Sequence, residues 1–278
     1  MLGLLALAIA PAVFVLCYFY LKDRYEPEPL GWVIKVFFIG AFMVIPAALL
    51  EAPFPEGLFV AVIVAPIVEE FLKFAAVYFT VYRDEEFDEP VDGIVYGVAA
   101  ALGFAMVENI MYVLEGGLAV GIVRAIASVP AHALFASVWG YTLGLARFRP
   151  EKERPLLIAS GLAAAMVFHG VFNLLASDSE IFGLIVMLVL LIPFGWWIAH
   201  RHINKAHDHP DSALSKSLRS SVGVISPTPV KPAKSTQDTS GGIPSSPLSQ
   251  NRFCTACRSP VSPTAKYCRA CGEPIDRE

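Results

Sequence analysis

Charged residues are scarce in this sequence. Asp, Glu, Lys and Arg make up only 17% of the 278 residues, whereas 55% are hydrophobic and the mean hydropathy is +0.58. Soluble globular chains are about one quarter charged, so this composition excludes an ordinary soluble domain and indicates a protein that folds in lipid. The net charge of −4 is small and gives no sign of a nucleic-acid partner.

Long apolar runs fill the first 199 residues. Each has about the 17–25 residues that a bilayer core requires, which predicts an all-α, polytopic bundle of about seven transmembrane helices. The predicted spans are 2–21, 31–50, 58–82, 91–114, 118–146, 156–176 and 181–199. The first run lacks the positive N-terminal segment of a signal peptide and is followed by Lys22 and Arg24, which favours a retained helix. A cleaved leader is the alternative for this run. The fifth span is longer and can tilt or kink at Pro130.

Lys and Arg are absent from alternate loops. Segments 51–57, 115–117 and 177–180 contain neither residue. The other segments contain Lys22, Arg24, Arg83, Arg147, Arg149, Lys152, Arg154, Arg201 and Lys205. Because basic loops stay in the cytoplasm, we expect a multi-pass protein of a bacterial cytoplasmic membrane, with its N-terminus outside and its C-terminus inside.

The composition changes after the last apolar run, and we expect three parts. Residues 1–203 would form the transmembrane domain. Residues 204–250 are rich in Ser, Pro and Thr without apolar periodicity, which predicts a disordered linker. Residues 251–278 would form a small cytoplasmic zinc ribbon.

Cysteine is rare, and four of the five cysteines fall in this last part. Cys254, Cys257, Cys268 and Cys271 form two C-x2-C pairs, the ligand spacing of a closed, structural zinc site. Disulfides are the alternative, which a reducing cytoplasm disfavours. So short a segment needs the metal in order to fold, and we expect the ribbon to contact a cytoplasmic protein partner.

Polar side chains interrupt four of the predicted spans. They are Glu69, Glu70 and Lys73 in the third, Glu108 and Asn109 in the fourth, His132 in the fifth, and His169 and Asn173 in the sixth. Ionisable groups at membrane depth are costly, so they usually face a cavity, pair with one another and serve a function. Similar depths along neighbouring helices predict one polar pocket in the outer half of the membrane.

Such a pocket can support three kinds of chemistry. A glutamate in a low-dielectric pocket can act as a general base for water, and histidine and asparagine donors can stabilise an oxyanion, which together permit peptide hydrolysis. Two histidines and a glutamate can also ligate catalytic zinc, although no H-E-x-x-H motif is present. Chains of Glu, Lys and His can relay protons in a transporter.

The same residues form a recognisable set of motifs. Glu69 to Lys73 matches EExxK, Phe104 to Asn109 matches FxxxEN, and His169 to Asn173 matches HxxxN. In this order on successive helices, with His132 between them, they resemble the PrsW-type intramembrane proteases, a family similar to the CAAX-prenyl-protease (ABI) group of membrane glutamate proteases. The resemblance covers roughly residues 1–200.

The resemblance implies site-1 cleavage of single-pass membrane proteins, such as anti-sigma factors, on the extracytoplasmic side. Glu69 or Glu70 would activate the water, and His169 with Asn173 would stabilise the oxyanion. Glu108 stands where the prenyl proteases have a histidine, so Glu108 and His132 both remain candidates to hold the water. Lys73, Phe104 and Asn109 would have supporting roles. An active-site metal remains open.

Two other functions are alternatives to a protease. A proton-coupled transporter should show internal repeats, and none is evident in the sequence. A non-enzymatic membrane sensor would use the zinc ribbon as its output module. Such a sensor would tolerate the loss of Glu69 and Glu70, whereas the protease would not.

Overall fold

The structure is a computed structural model that describes residues 2–177, 181–223, 252–253 and 260–261. The described part is mostly helical, which confirms the predicted all-α class. Its α-helices are α1 (Leu2–Tyr20), α2 (Leu30–Phe42), α3 (Val44–Glu51), α4 (Ala65–Thr80), α5 (Asp92–Val123), α6 (Val129–Arg147), α7 (Arg154–Ala176), α8 (Ile181–Val186), α9 (Ile192–His207) and α10 (Ala213–Gly223). Single π-helical turns occupy Val60–Val64, Arg124–Ser128 and Met187–Leu191.

Five stretches of the described residues are long and apolar enough to cross a membrane. They are Gly3–Tyr20, Leu30–Glu51, Asp92–Arg147, Arg154–Ala176 and Phe182–His207. Asp92–Arg147 contains two of the predicted spans. Between them the helix is interrupted at Gly117, whose φ of 71° is unfavourable for residues other than glycine. The predicted third span is also helical, but its three ionisable residues at 69, 70 and 73 make it more polar than these five stretches.

Each π turn ends two residues before a proline. The prolines are Pro66, Pro130 and Pro193, each in the first turn of the following α-helix. Proline has no backbone N–H, so the regular helical ladder is interrupted there and a wider turn accommodates the gap. Pro130, where the sequence allowed the fifth span to tilt or kink, thus directly follows a π turn.

Helix α5 forms the centre of the bundle. Every residue from Asp92 to Ala105 is buried, as expected for a helix that is apolar on all sides. It packs against α1, α2, α4 and α6. A Cβ atom on Gly93 would clash with the carbonyl oxygen of Gly140, so the absence of side chains at these positions allows α5 and α6 to approach closely.

The last apolar helix extends beyond residue 203, the predicted end of the transmembrane domain. Helix α9 continues to His207 because Ala199, Ile203 and Ala206 form a buried stripe at helical spacing. Helix α10 then lies within the predicted disordered linker. The first residue of α10 contacts a distant part of the chain, because the Ala213 amide meets Oε1 of Glu89, 124 residues away in sequence. The rest of the predicted linker lies outside the described residues.

The C-terminal residues 227–278 form a separate unit. Within it the structure describes two short strands, β1 (Arg252–Phe253) and β2 (Pro260–Val261), which pair antiparallel with Arg252 opposite Val261. Cys254, Cys257, Cys268 and Cys271 lie outside the described residues. The zinc ribbon therefore stays a prediction.

Candidate active site

One cavity of about 640 Å³ collects most of the polar residues predicted in the membrane. Its lining includes Glu69, Phe104, Glu108, His132, His169 and Asn173. Helices α4, α5, α6 and α7 supply them. The neighbouring Glu70, Lys73 and Asn109 are buried. The predicted set is thus brought together, as the similar depths along the helices indicated, while the role of each residue stays a prediction.

Lys73 connects three of these side chains. Its Nζ atom lies 2.9 Å from Glu69 Oε2, from Glu70 Oε1 and from His132 Nδ1. An ammonium group has three hydrogens, and each of these contacts can receive one. The side chain is fully buried, and Nζ lies 4.4 Å from the centre of the Phe104 ring. Lys73 therefore offsets the charge of two carboxylates in a region where charge is costly.

Glu70 is enclosed on all sides. Its exposure is 0%, and its Oε1 atom contacts both Lys73 Nζ and His169 Nδ1, the latter at 3.0 Å. Its Oε2 atom accepts a hydrogen bond of 3.0 Å from the indole nitrogen of Trp139. Glu69, in contrast, is 8% exposed and lines the cavity. Adjacent positions on a helix point about 100° apart, which gives the two glutamates these different surroundings.

His132 links Lys73 to Glu108. Because the Lys73 ammonium can only donate, His132 Nδ1 accepts and its hydrogen must be on Nε2. That Nε2 atom lies 3.0 Å from Glu108 Oε2. Both nitrogens of His132 are therefore occupied. Glu108 in addition lies 3.1 Å from Nη2 of Arg124.

His169 and Asn173 lie one turn apart on α7. The His169 ring stacks on Phe135, with 4.7 Å between ring centres, and its Nδ1 atom contacts Glu70, so its Nε2 atom is left for the cavity. Asn173 Nδ2 donates to the carbonyl oxygen of Ala61 at 2.8 Å. That carbonyl lies in the π turn before Pro66. Because proline has no backbone N–H, the Asn173 side chain supplies a donor that the helix lacks at this point.

Sequence reasoning missed two residues of the site. Trp139 donates to Glu70, and Arg124 pairs with Glu108 while its Nε donates to Asn109 Oδ1 at 2.7 Å. The signals were present, since an arginine within an apolar run and a tryptophan N–H in lipid both need partners. The helix packing that supplies those partners is not visible in the sequence.

Comparison with known proteins identifies the family. A model of the PrsW family intramembrane metalloproteases matches residues 28–198. The chain belongs to the PrsW family. It is therefore an intramembrane protease, as the motifs of the sequence predicted.

Related proteins agree with this assignment. The Protease PrsW of Geobacillus kaustophilus is 41% identical over 212 residues, which cover 74% of this chain and 93% of the relative. Those of Halalkalibacterium halodurans and Bacillus subtilis are each 35% identical, over 216 and 214 residues, which cover 74% of this chain and 98% and 96% of the relatives. No solved structure matches. With its apolar helices, this PrsW-family chain is a multi-pass protein of a bacterial membrane.

The family description implies a metal, and three residues of the site fit one. Glu69, His132 and His169 each offer a ligand atom, and these atoms lie within 4.8 Å of one another. Two histidines and a glutamate hold zinc in some hydrolases, and the contact of His169 with Glu70 is the kind that orients a metal-binding histidine. These residues would hold the ion, which would supply Lewis-acid polarisation. Lys73 contacts Glu69 and His132 and competes with a metal for both.

Proposed function

We propose that this protease cleaves single-pass membrane proteins, of the anti-sigma-factor type, on the extracytoplasmic side. In this proposal the residues that fit a metal act without one, and water activated by Glu69 would attack the peptide bond. The observation that carries this proposal is the different placement of the two adjacent glutamates. Glu69 lines the cavity, whereas both carboxylate oxygens of Glu70 are occupied by buried donors.

Glu69 is suited to be the general base. A base must reach the water, and among the two glutamates Glu69 has the exposed edge. Its carboxylate takes a proton from the water while the water oxygen bonds to the carbonyl carbon. That proton then passes to the leaving amine as the peptide bond breaks, so the base is regenerated.

His169 and Asn173 would stabilise the oxyanion that forms. His169 would donate to the oxyanion through a hydrogen on Nε2, while its Nδ1 atom contacts the Glu70 carboxylate at 3.0 Å. Asn173 uses one amide hydrogen for Ala61 and keeps the second for the substrate. Glu70 is therefore a positioning residue that acts through His169.

Glu108 would hold the attacking water opposite Glu69. His132 is the other candidate, but both its nitrogens are engaged, by Lys73 and by Glu108. Glu108 lines the cavity and keeps one oxygen outside these contacts. Arg124 and His132 then fix the orientation of the Glu108 carboxylate.

The side of cleavage is inferred from the cavity mouth. Its lining includes Glu51, Glu56, Gly57 and Ser177, which lie at or beside loops free of Lys and Arg. The positive-inside rule assigns these loops to the outside, with the N-terminus outside and the C-terminus in the cytoplasm. A substrate would thus be cut in the outer half of its transmembrane segment or just beyond it.

The C-terminal cysteines are proposed to bind structural zinc in the cytoplasm. The ribbon would contact a cytoplasmic protein and so report on, or localise, the protease. Its support is the spacing of the four cysteines.

Co-expression with tagged single-pass membrane proteins of the host tests the function. Wild type should release an outer fragment of a substrate, and His169→Ala at the same protein level should not, while Glu85→Gln on an exposed loop should behave as wild type. A cut on the cytoplasmic side, or cleavage that persists in His169→Ala, would contradict the proposal. Proton-coupled uptake without any cleavage would favour the transporter.

A further inference from the structure

Four buried carboxylates gather at the end of the bundle opposite the cavity mouth. Asp23 and Glu28 lie in the loop between α1 and α2, Glu89 precedes α5, and Asp92 is the first residue of α5. Their exposures are 2%, 4%, 1% and 0%, respectively. Burial of several like charges is costly unless something neutralises them.

Ordinary hydrogen bonds satisfy only part of this cluster. The Tyr96 hydroxyl donates to Glu28 Oε2, and Asp92 Oδ2 accepts from the amides of Asp88 and Glu89 at 2.8 and 2.6 Å. Both oxygens of Asp23 and Oδ1 of Asp92 are buried and accept no hydrogen bond of ordinary geometry.

Among the residues that the structure describes, no lysine or arginine forms an ion pair with any of these four carboxylates. The nearby Lys216 pairs instead with the exposed Asp88. Something outside the protein must therefore neutralise the cluster whenever its carboxyl groups are ionised.

We infer that Asp23, Glu28 and Asp92 form a binding site for a hard divalent cation, of the Mg²⁺ or Ca²⁺ class. Each offers a carboxylate oxygen, and the three oxygens lie within 4.8 Å of one another. A set made only of carboxylate oxygens favours these ions over zinc, which prefers nitrogen and sulfur ligands. The unpartnered oxygens of Asp23 and Asp92 are the ones that such an ion would satisfy.

The cation has a structural role in this inference. It ties the α1–α2 loop to the start of α5, the helix that also carries Glu108. Glu108 is 16 residues further along, or roughly 24 Å at 1.5 Å per residue, so the cation does not take part in peptide hydrolysis. The inference therefore does not rest on the proposed catalytic roles.

Terbium luminescence tests the site directly. Tb³⁺ is a hard, oxygen-seeking ion whose emission is sensitised by a nearby phenol, and the Tyr96 hydroxyl contacts Glu28. The purified full chain in detergent, freed of divalent ions, should give saturable emission that Mg²⁺ or Ca²⁺ displaces. The more effective of the two identifies the preferred ion.

Matched variants assign the signal to these residues. Asp23→Asn and Asp92→Asn should each weaken Tb³⁺ binding by about 10-fold or more. This magnitude is typical of substitutions around metal sites in other proteins. Glu85→Gln, an exposed loop carboxylate, and Glu69→Gln, in the cavity, should leave it unchanged. Emission that is absent, or that is unchanged in both aspartate variants, overturns the inference and assigns neutralisation to bound protons.

Thermal unfolding provides a second readout that does not depend on terbium. The preferred ion should raise the Tm of wild type and of Glu85→Gln, but not that of Asp23→Asn. Asp23→Asn keeps the size of the side chain and removes no hydrogen bond of ordinary geometry, so it should fold. An equal rise of Tm in Asp23→Asn and wild type would also contradict the site.

Discussion

The indole nitrogen of Trp139 lies 3.0 Å from Oε2 of Glu70. The other oxygen of Glu70 contacts Lys73 and His169, so three helices converge on one carboxylate that is closed off from the cavity. Glu70 therefore has different surroundings from the adjacent Glu69, which lines the cavity. In the proposed mechanism, Glu70 organises the site and Glu69 activates the water.

Trp139→Phe should weaken the site without removing a catalytic group. The phenyl ring keeps most of the packing but leaves Glu70 Oε2 buried without a donor, which costs roughly 1–3 kcal/mol. We expect a lower Tm and slower cleavage, measured on purified protein. Trp197→Phe, at a 53% exposed position, is the control and should change neither. If both variants behave alike, the hydrogen bond to Glu70 has no particular importance.

Lys73→Met should destabilise the bundle more strongly. It leaves Glu69 and Glu70 without their shared ammonium group, and breaking a buried ion pair typically costs about 3–5 kcal/mol. Adding Glu70→Gln removes one of the two uncompensated charges and should restore part of the Tm, although not cleavage. Lys35→Met, an exposed lysine of α2, should be close to wild type. Equal Tm values for the single and double variants would contradict the proposed charge balance.

The close packing of α5 against α6 predicts that a larger side chain at Gly140 will destabilise the bundle. Gly140→Ala places a methyl group against the backbone of Gly93 and should lower stability by roughly 1–3 kcal/mol, because α5 and α6 must separate. Gly31→Ala is the matched control, since a Cβ there meets nothing within 4 Å. Thermal unfolding of the two variants measures the difference. A larger loss in Gly31→Ala would be inconsistent with the packing of α5 on α6.

Zinc content tests the proposed ribbon. Replacing Cys254 and Cys257 by serine should lower the zinc bound by the purified chain by about one ion, because four thiolates hold each structural zinc. Cys17→Ser alters a cysteine in α1 and should leave the zinc content unchanged. Equal zinc in all three proteins would contradict a zinc ribbon.

Much of the membrane domain could be predicted from sequence because lipid imposes strict demands. A helix must be long and apolar to span the bilayer, and an ionisable residue in such a helix needs a partner, so Glu69, Glu108, His132 and His169 were recognisable. The sequence does not specify how helices rotate against one another. That packing determines which glutamate faces the cavity, and which partners Trp139 and Arg124 find.

The end of the bundle opposite the cavity mouth was harder to predict for a similar reason. Helix α10 is anchored by a contact of Ala213 with Glu89, more than a hundred residues away, and the local composition resembles a linker. The carboxylates of Asp23, Glu28 and Asp92 are likewise unremarkable as separate loop and helix residues. Only the tertiary contacts bring them together.

The most direct test compares Glu69→Gln and Glu70→Gln as purified proteins, by cleavage rate and Tm. Glutamine keeps the shape of the side chain but cannot take a proton from water. Glu69→Gln should abolish cleavage with little change in Tm, whereas Glu70→Gln should lower both, because it disturbs the buried contacts of Lys73, His169 and Trp139. Substantial cleavage by a folded Glu69→Gln would contradict the assignment of Glu69 as the base.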